Sequence, residues 1–311
     1  MVSPRAARLL WLFLAVLPLT GCLFRSRKVE RQLSTAPLKT ATQQELIDSI
    51  NTQAAQIKSF QATVDIDTSV GGVNNGQVTD YKEIRGYVLA RKPAMLRLIG
   101  LMPIVRNRAF DMVSDGKEFK LWIPPKNRFV IGRNDVEVPH PKQRLESVRP
   151  QDFYDALLIR EIDPENEIAV LENGYETVLD SKRHRVEQPD YEIVVVRKGQ
   201  KGWFLSRKIM FSRIDLQPHH QQIYDEKGNL ATDVRYGDYK EYDGINFARQ
   251  TEIERPQEAY DITLNIVKLE MNKPIGDDQF VLPQPEGAEV VRLGQENNQS
   301  QNPKGGDSGK R

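Results

Sequence analysis

The chain has 311 residues, with 44 Lys and Arg against 43 Asp and Glu, four histidines and a single cysteine. A net charge of +1 offers no general attraction to nucleic acid. One cysteine excludes an internal disulfide framework and any multi-cysteine zinc or iron–sulfur site. Eighteen prolines and twenty glycines suit many short elements better than long helices.

The first 21 residues form a targeting segment. Arg5 and Arg8 precede the unbroken apolar run Leu9 to Leu17, which Pro18 ends. A membrane span needs about 20 apolar residues, so this run has the size of a secretory signal core. Leu19-Thr20-Gly21-Cys22 follows and resembles the bacterial lipobox, in which cleavage between Gly21 and Cys22 frees a cysteine that carries a diacylglycerol. The only cysteine of the chain stands at the modified position. Two or three acyl chains anchor a protein stably, at about 0.8 kcal/mol per buried methylene. Leu23 follows where an Asp is associated with inner-membrane retention, so the expected location is the outer membrane, facing the periplasm. Losing Arg5 and Arg8 leaves 42 basic against 43 acidic residues in the mature chain.

Residues 22–40 read as a tether whose start carries Arg25, Arg27, Lys28 and Arg31 against Glu30 alone. A folded domain is expected over 41–293. Thr42 with Glu45 three positions on is a capping-box pattern, and Leu46, Ile50, Gln53, Ile57 and Phe60 share one stripe of an opening helix. A second helix is expected after Pro150, with Phe153 and Leu157 on one face. Nearly all the rest alternates as strands do, broken at Lys92-Pro93, Asp115-Gly116, Pro124-Pro125, Asp225–Asn229 and Asp243-Gly244. Short connections force antiparallel neighbours. The expected class is therefore α+β: a large curled antiparallel sheet of about 10–12 strands, an unclosed half-barrel, with two helices against its concave face. Residues 294–311 lack apolar side chains and are expected to be a disordered polar tail.

Three stretches carry a family resemblance: Gly86–Leu98 (GYVLARKPAMLRL), Val113–Pro124 (VSDGKEFKLWIP) and Asp278–Ala288 (DQFVLPQPEGA). Together with the opening helix they resemble the LolA/LolB superfamily of outer-membrane lipoprotein-sorting factors. The resemblance implies a half-barrel whose concave side takes lipid or lipoprotein acyl chains, received from a soluble periplasmic carrier. It also implies an apolar, membrane-facing loop, matched here by Leu101, Met102, Pro103, Ile104 and Val105. Five apolar residues at a turn are unusual in themselves. Leu98, Phe110, Met112, Leu121, Trp122 and Phe129 are the candidates for the apolar cavity. This chain is longer than the LolB pattern, mainly in its second half, and its tail is polar.

Catalysis is not expected. No nucleophile elbow, phosphate loop or dinucleotide fingerprint occurs. His219 and His220 are adjacent, so on a strand they point to opposite faces and do not share a metal; no metal and no cofactor is expected. Trp122 and Trp203 read as core residues, and the basic run Lys182–Arg185 as a solvated hairpin tip. The rival expectation is a non-carrier envelope scaffold or stress sensor whose cavity is filled by its own side chains.

Overall fold

The computed structural model describes residues 33, 35–72, 77–135, 148–179 and 182–293. Cys22, Gly21, the signal segment and the polar tail lie outside the described residues. The chain falls into two compact units. Of the described residues, one comprises those in 36–174 and 189–293; the other comprises 33, 35 and those in 175–188.

Helix α1 (Gln43–Gln56) starts where the capping box places it. The Glu45 amide donates to Thr42 Oγ1 at 3.2 Å, and the Thr42 amide donates to Glu45 Oε2 at 2.7 Å. Its buried stripe is Leu46, Ile50 and Ala54. The helix stops before Ile57, however, so Phe60 belongs to the following strand rather than to the helical stripe. Helix α2 (Pro150–Leu157) takes Pro150 in its first turn, where a missing N–H costs nothing.

Fifteen strands form one sheet, more than the 10–12 expected. They are β1 (Ser59–Gly72), β2 (Gln77–Asp80), β3 (Ile84–Arg91), β4 (Met95–Leu101), β5 (Arg108–Ser114), β6 (Glu118–Ile123), β7 (Arg128–Arg133) and β8 (Glu167–Leu179). The series continues with β9 (Arg185–Gly199), β10 (Gly202–Ser212), β11 (Pro218–Tyr224), β12 (Leu230–Tyr242), β13 (Ile245–Arg255), β14 (Tyr260–Met271) and β15 (Glu289–Arg292). The spatial order is β15-β7-β6-β5-β4-β3-β1-β14-β13-β12-β11-β10-β9-β8, with β2 beside β1. Two of the strands beyond that number are the short β2 and the terminal β15. The latter pairs parallel to β7, Val290 opposite Phe129, whereas the other strand pairs of known register are antiparallel. The ends of the order, β15 and β8, do not pair with each other, so the sheet is not closed.

The register puts Leu269, Ala62, Val88, Leu98, Met112, Leu121 and Val130 side by side in one row across seven strands. All seven are buried. This inner face forms the main core with Phe153, Tyr154, Ala156 and Leu157 of α2. Further along the same face, Leu46 and Ile50 of α1 pack on Ile193, Val195, Ile209 and Phe211. A separate core lies on the other face of β5–β7, where Ile275, Phe280 and Leu282 cover Val113 and Phe129.

In the second unit, Leu33 makes a parallel bridge with Glu187 of β9. The segment Lys182 to Arg185 is exposed there, as a hairpin tip would be.

Candidate functional site

The β4–β5 connection is an apolar loop held by its own backbone. The Met102 amide donates to the Asn107 carbonyl at 2.7 Å, and the Arg106 amide to the Met102 carbonyl at 3.1 Å. Inside that ring the Val105 amide reaches the Pro103 carbonyl at 2.8 Å, a three-residue turn centred on Ile104. Ile104 has φ +70° and Arg106 φ +53°. A β-branched residue is poorly tolerated in the left-handed region, where its Cβ crowds the backbone. Ile104 is nevertheless 98 % exposed, so packing does not hold it there. Met102 and Val105 are exposed beside it. At the base of the loop Gly100 faces Phe110, and a Cβ at that glycine would collide with the ring.

A groove of about 310 Å³ runs from this loop onto the outer face of β1 and β3. Its walls include Met102, Ile104 and Arg106 on one side and Asp65, Arg85 and Tyr87 on the other. Arg85 Nε lies 2.6 Å from Asp65 Oδ1.

Between the helices and the sheet the described residues leave a small pocket. The cavity there holds about 30 Å³, room for about one water, between Ala54 and Ile57, Leu157 and Leu158, and Tyr236 and Phe247. Inward polar groups of the sheet fasten the helical cover. Tyr236 donates its hydroxyl to the Ala156 carbonyl at 2.7 Å, and Gln221 donates to the Asp155 carbonyl at 3.3 Å. Both carbonyls belong to the last turn of α2, which leaves them without helical partners. Arg207, wholly buried, donates to the carbonyls of Arg160 and Glu161 and to Glu167 Oε2 at 2.8, 2.9 and 3.0 Å. Burial pulls its guanidinium down to about 10. Lys92 bridges the end of α1, at the Ala54 carbonyl, to Glu161. At the other end of α2, Asp152 pairs with Arg255 at 3.1 Å, yet burial outweighs that pair and pushes its carboxyl up to about 6.

The six cavity candidates divide. Leu98, Phe110, Met112 and Leu121 face the inner core. Trp122 and Phe129 do not. They stand opposite each other on β6 and β7, facing away from that core, with ring centroids 6.5 Å apart under the Ile275–Leu282 segment. The expectation that all six line one cavity is corrected: side chains alternate along a strand, so Leu121 and Trp122 cannot share a face. Trp203 is also corrected, being 52 % exposed rather than core. His219 and His220 turn to separate carboxylates, Asp190 at 3.4 Å and Asp233 at 2.6 Å. Among the described residues no group of three or more His, Cys, Asp or Glu is placed to hold a metal ion. No described helix is long and apolar enough to cross a membrane.

No family model matches the sequence, and no curated protein matches it. The chain is similar to several solved structures. A LolA superfamily protein from Nitrosomonas europaea is 13 % identical, with 76 % of this chain and 97 % of that one covered, at a TM-score of 0.46. A DUF1329 family protein from Desulfovibrio piger is 15 % identical, with 76 % and 95 % covered, at 0.48. A domain from Vibrio parahaemolyticus described as an outer-membrane lipoprotein-sorting protein is 12 % identical, with 76 % and 94 % covered, at 0.43. At these identities and TM-scores the likeness carries no argument about family, ligand or activity.

The sequence did not disclose the Arg207 anchor or the positive φ at Ile104. A lone arginine in the alternating strand β10 reads as solvent-facing, and φ is not written in a residue's name.

Proposed function

We propose that the protein is an exported envelope lipoprotein, acylated at Cys22 and held in the outer membrane, that handles acyl chains of lipid or lipoprotein at the membrane surface. In this reading Leu101 to Val105 dip into the leaflet, and the chain being handled enters the inner face once α1 and α2 move aside. A soluble periplasmic carrier delivers it. The observation that carries the reading is Ile104: a bulky apolar side chain, fully exposed, kept in a backbone conformation that costs free energy. Such strain persists where a site uses it. Entry of that side chain into hydrocarbon is worth about 1.5–3 kcal/mol, enough to dock a body already tethered by acyl chains. Ile104→Glu is expected to leave folding and anchoring intact while abolishing release of acylated cargo to vesicles. Unchanged release sinks the proposal.

One observation favours a second reading. An acyl chain needs a cavity of several hundred Å³, and the pocket between the helices and the sheet holds about 30 Å³. A non-carrier scaffold or stress sensor would keep that interior filled permanently. Native mass spectrometry of the gently purified mature chain separates the two. Co-purifying lipid or acyl peptide supports the carrier, and a chain that also refuses added lipid supports the scaffold.

A further inference from the structure

The groove beside the apolar loop has a chemistry that differs from the loop's. It pairs opposite charges instead of presenting one sign. Asp65 and Arg85 already neutralise each other on its floor at 2.6 Å. That leaves Glu83 on the β3 side and Arg106 on the loop side, both exposed and each lining the groove, with no side-chain hydrogen bond or ion pair among the described residues. Tyr87 is exposed between the strands, and its hydroxyl has no hydrogen-bond partner among the described residues. The left-handed backbone at both Ile104 and Arg106 turns the chain twice within three residues, which puts the apolar side chain at the tip and the guanidinium at the groove.

We propose that this groove binds the zwitterionic headgroup of a phospholipid of the phosphatidylethanolamine type. Arg106 takes the phosphate by paired N–H donors, a geometry the planar guanidinium suits. Glu83 takes the primary ammonium, and the Tyr87 hydroxyl adds a donor to the phosphate oxygens. An acidic headgroup would leave Glu83 unpaired against it, so the balance of charge selects a headgroup carrying both signs. The volume of about 310 Å³ is at the lower end of small-ligand sites, the scale of a headgroup rather than of a whole lipid. Continuity supplies the membrane source: the groove shares Met102 and Ile104 with the loop, so a loop seated in the leaflet brings the groove to headgroup depth. That last step rests on the membrane reading of the loop; the charge pattern of the groove does not.

The test uses the full mature chain with Cys22→Ser, so that no acyl anchor masks weak binding. Flotation with phosphatidylcholine vesicles is compared with flotation when phosphatidylethanolamine or phosphatidylglycerol is added, and soluble glycerophosphoethanolamine is titrated separately by NMR. The expected result is a preference for phosphatidylethanolamine that falls roughly tenfold in Glu83→Gln and in Arg106→Gln. Binding to phosphatidylcholine alone should persist in Glu83→Gln, and both variants should melt like the parent, because both side chains are exposed. Soluble headgroup should shift the Tyr87 and Arg106 resonances, and Glu83→Gln should remove the effect. Equal binding to all three vesicles, unchanged in either variant and with no response to the soluble headgroup, overturns the groove. If Ile104→Gly floats like the parent while the soluble headgroup still binds, the loop reading fails and the groove stands.

Discussion

Ile104→Gly tests stability and membrane affinity in opposite directions. Ile104 is 98 % exposed, so its removal gives up almost no packing in the folded protein. At φ +70° a β-branched residue pays about 1–2 kcal/mol, and glycine pays none. Glycine's freer unfolded chain returns about 0.5–1 kcal/mol of that. The net expectation is a gain of about 0.5–1 kcal/mol, or roughly 2–4 °C in Tm per kcal/mol for a chain of this size class. Membrane affinity should fall instead. Losing the burial of one large aliphatic side chain, about 2 kcal/mol, is roughly a thirtyfold weaker association. Urea unfolding and vesicle flotation of the Cys22→Ser chain read the two effects. A variant less stable than the parent by 1 kcal/mol or more, or one whose flotation is unchanged, refutes the reasoning that the strain is kept for the membrane.

Three further outcomes follow from the packing. Asp111 is wholly buried and accepts from Arg97 Nε at 3.0 Å, Arg97 Nη2 at 2.8 Å and Arg108 Nη1 at 3.0 Å, while Arg97 also holds the Gln279 carbonyl at 2.7 Å. Asp111→Ala should cost about 3–5 kcal/mol and open the 277–282 segment to protease; a loss under about 1 kcal/mol would contradict the network. Leu98→Ala should cost about 3–5 kcal/mol if the interior is filled as seen, with a much smaller loss pointing to a wall that already faces empty space. For Asp152, burial raises the folded carboxyl to about 6 while the unfolded chain keeps an ordinary value near 4. The folded state therefore holds that proton more tightly, and this group's contribution to stability is present at low pH and lost as pH rises from about 4 to 6. Relative to Asp152→Asn, the parent should gain roughly 1–2 kcal/mol on acidification through that window, a figure reduced because the side chain keeps 19 % exposure. A difference in urea midpoint that stays flat with pH would remove Asp152 as the titrating group.

What the sequence determined by itself was local. A period of two marks strands, a Thr-x-x-Glu pattern marks the start of α1, Pro150 marks the start of α2, and Asp-Gly marks the β5–β6 hairpin, because each depends on residues within a few positions. The shortened α1 shifted only a boundary. Tertiary structure alone decided which apolar residues met which neighbours. Trp122 and Phe129 face outward from the main core, and only the distant segment at 275–282 makes that outer face dry. Likewise Tyr236, Gln221 and Arg207, polar residues in strands that read as half-wet, turn inward to hold the last turn of α2 and the segment after it. Hydrogen-bond partners some 50 to 80 positions apart leave no trace in a local pattern, and the filling of a cavity is a sum over all of them.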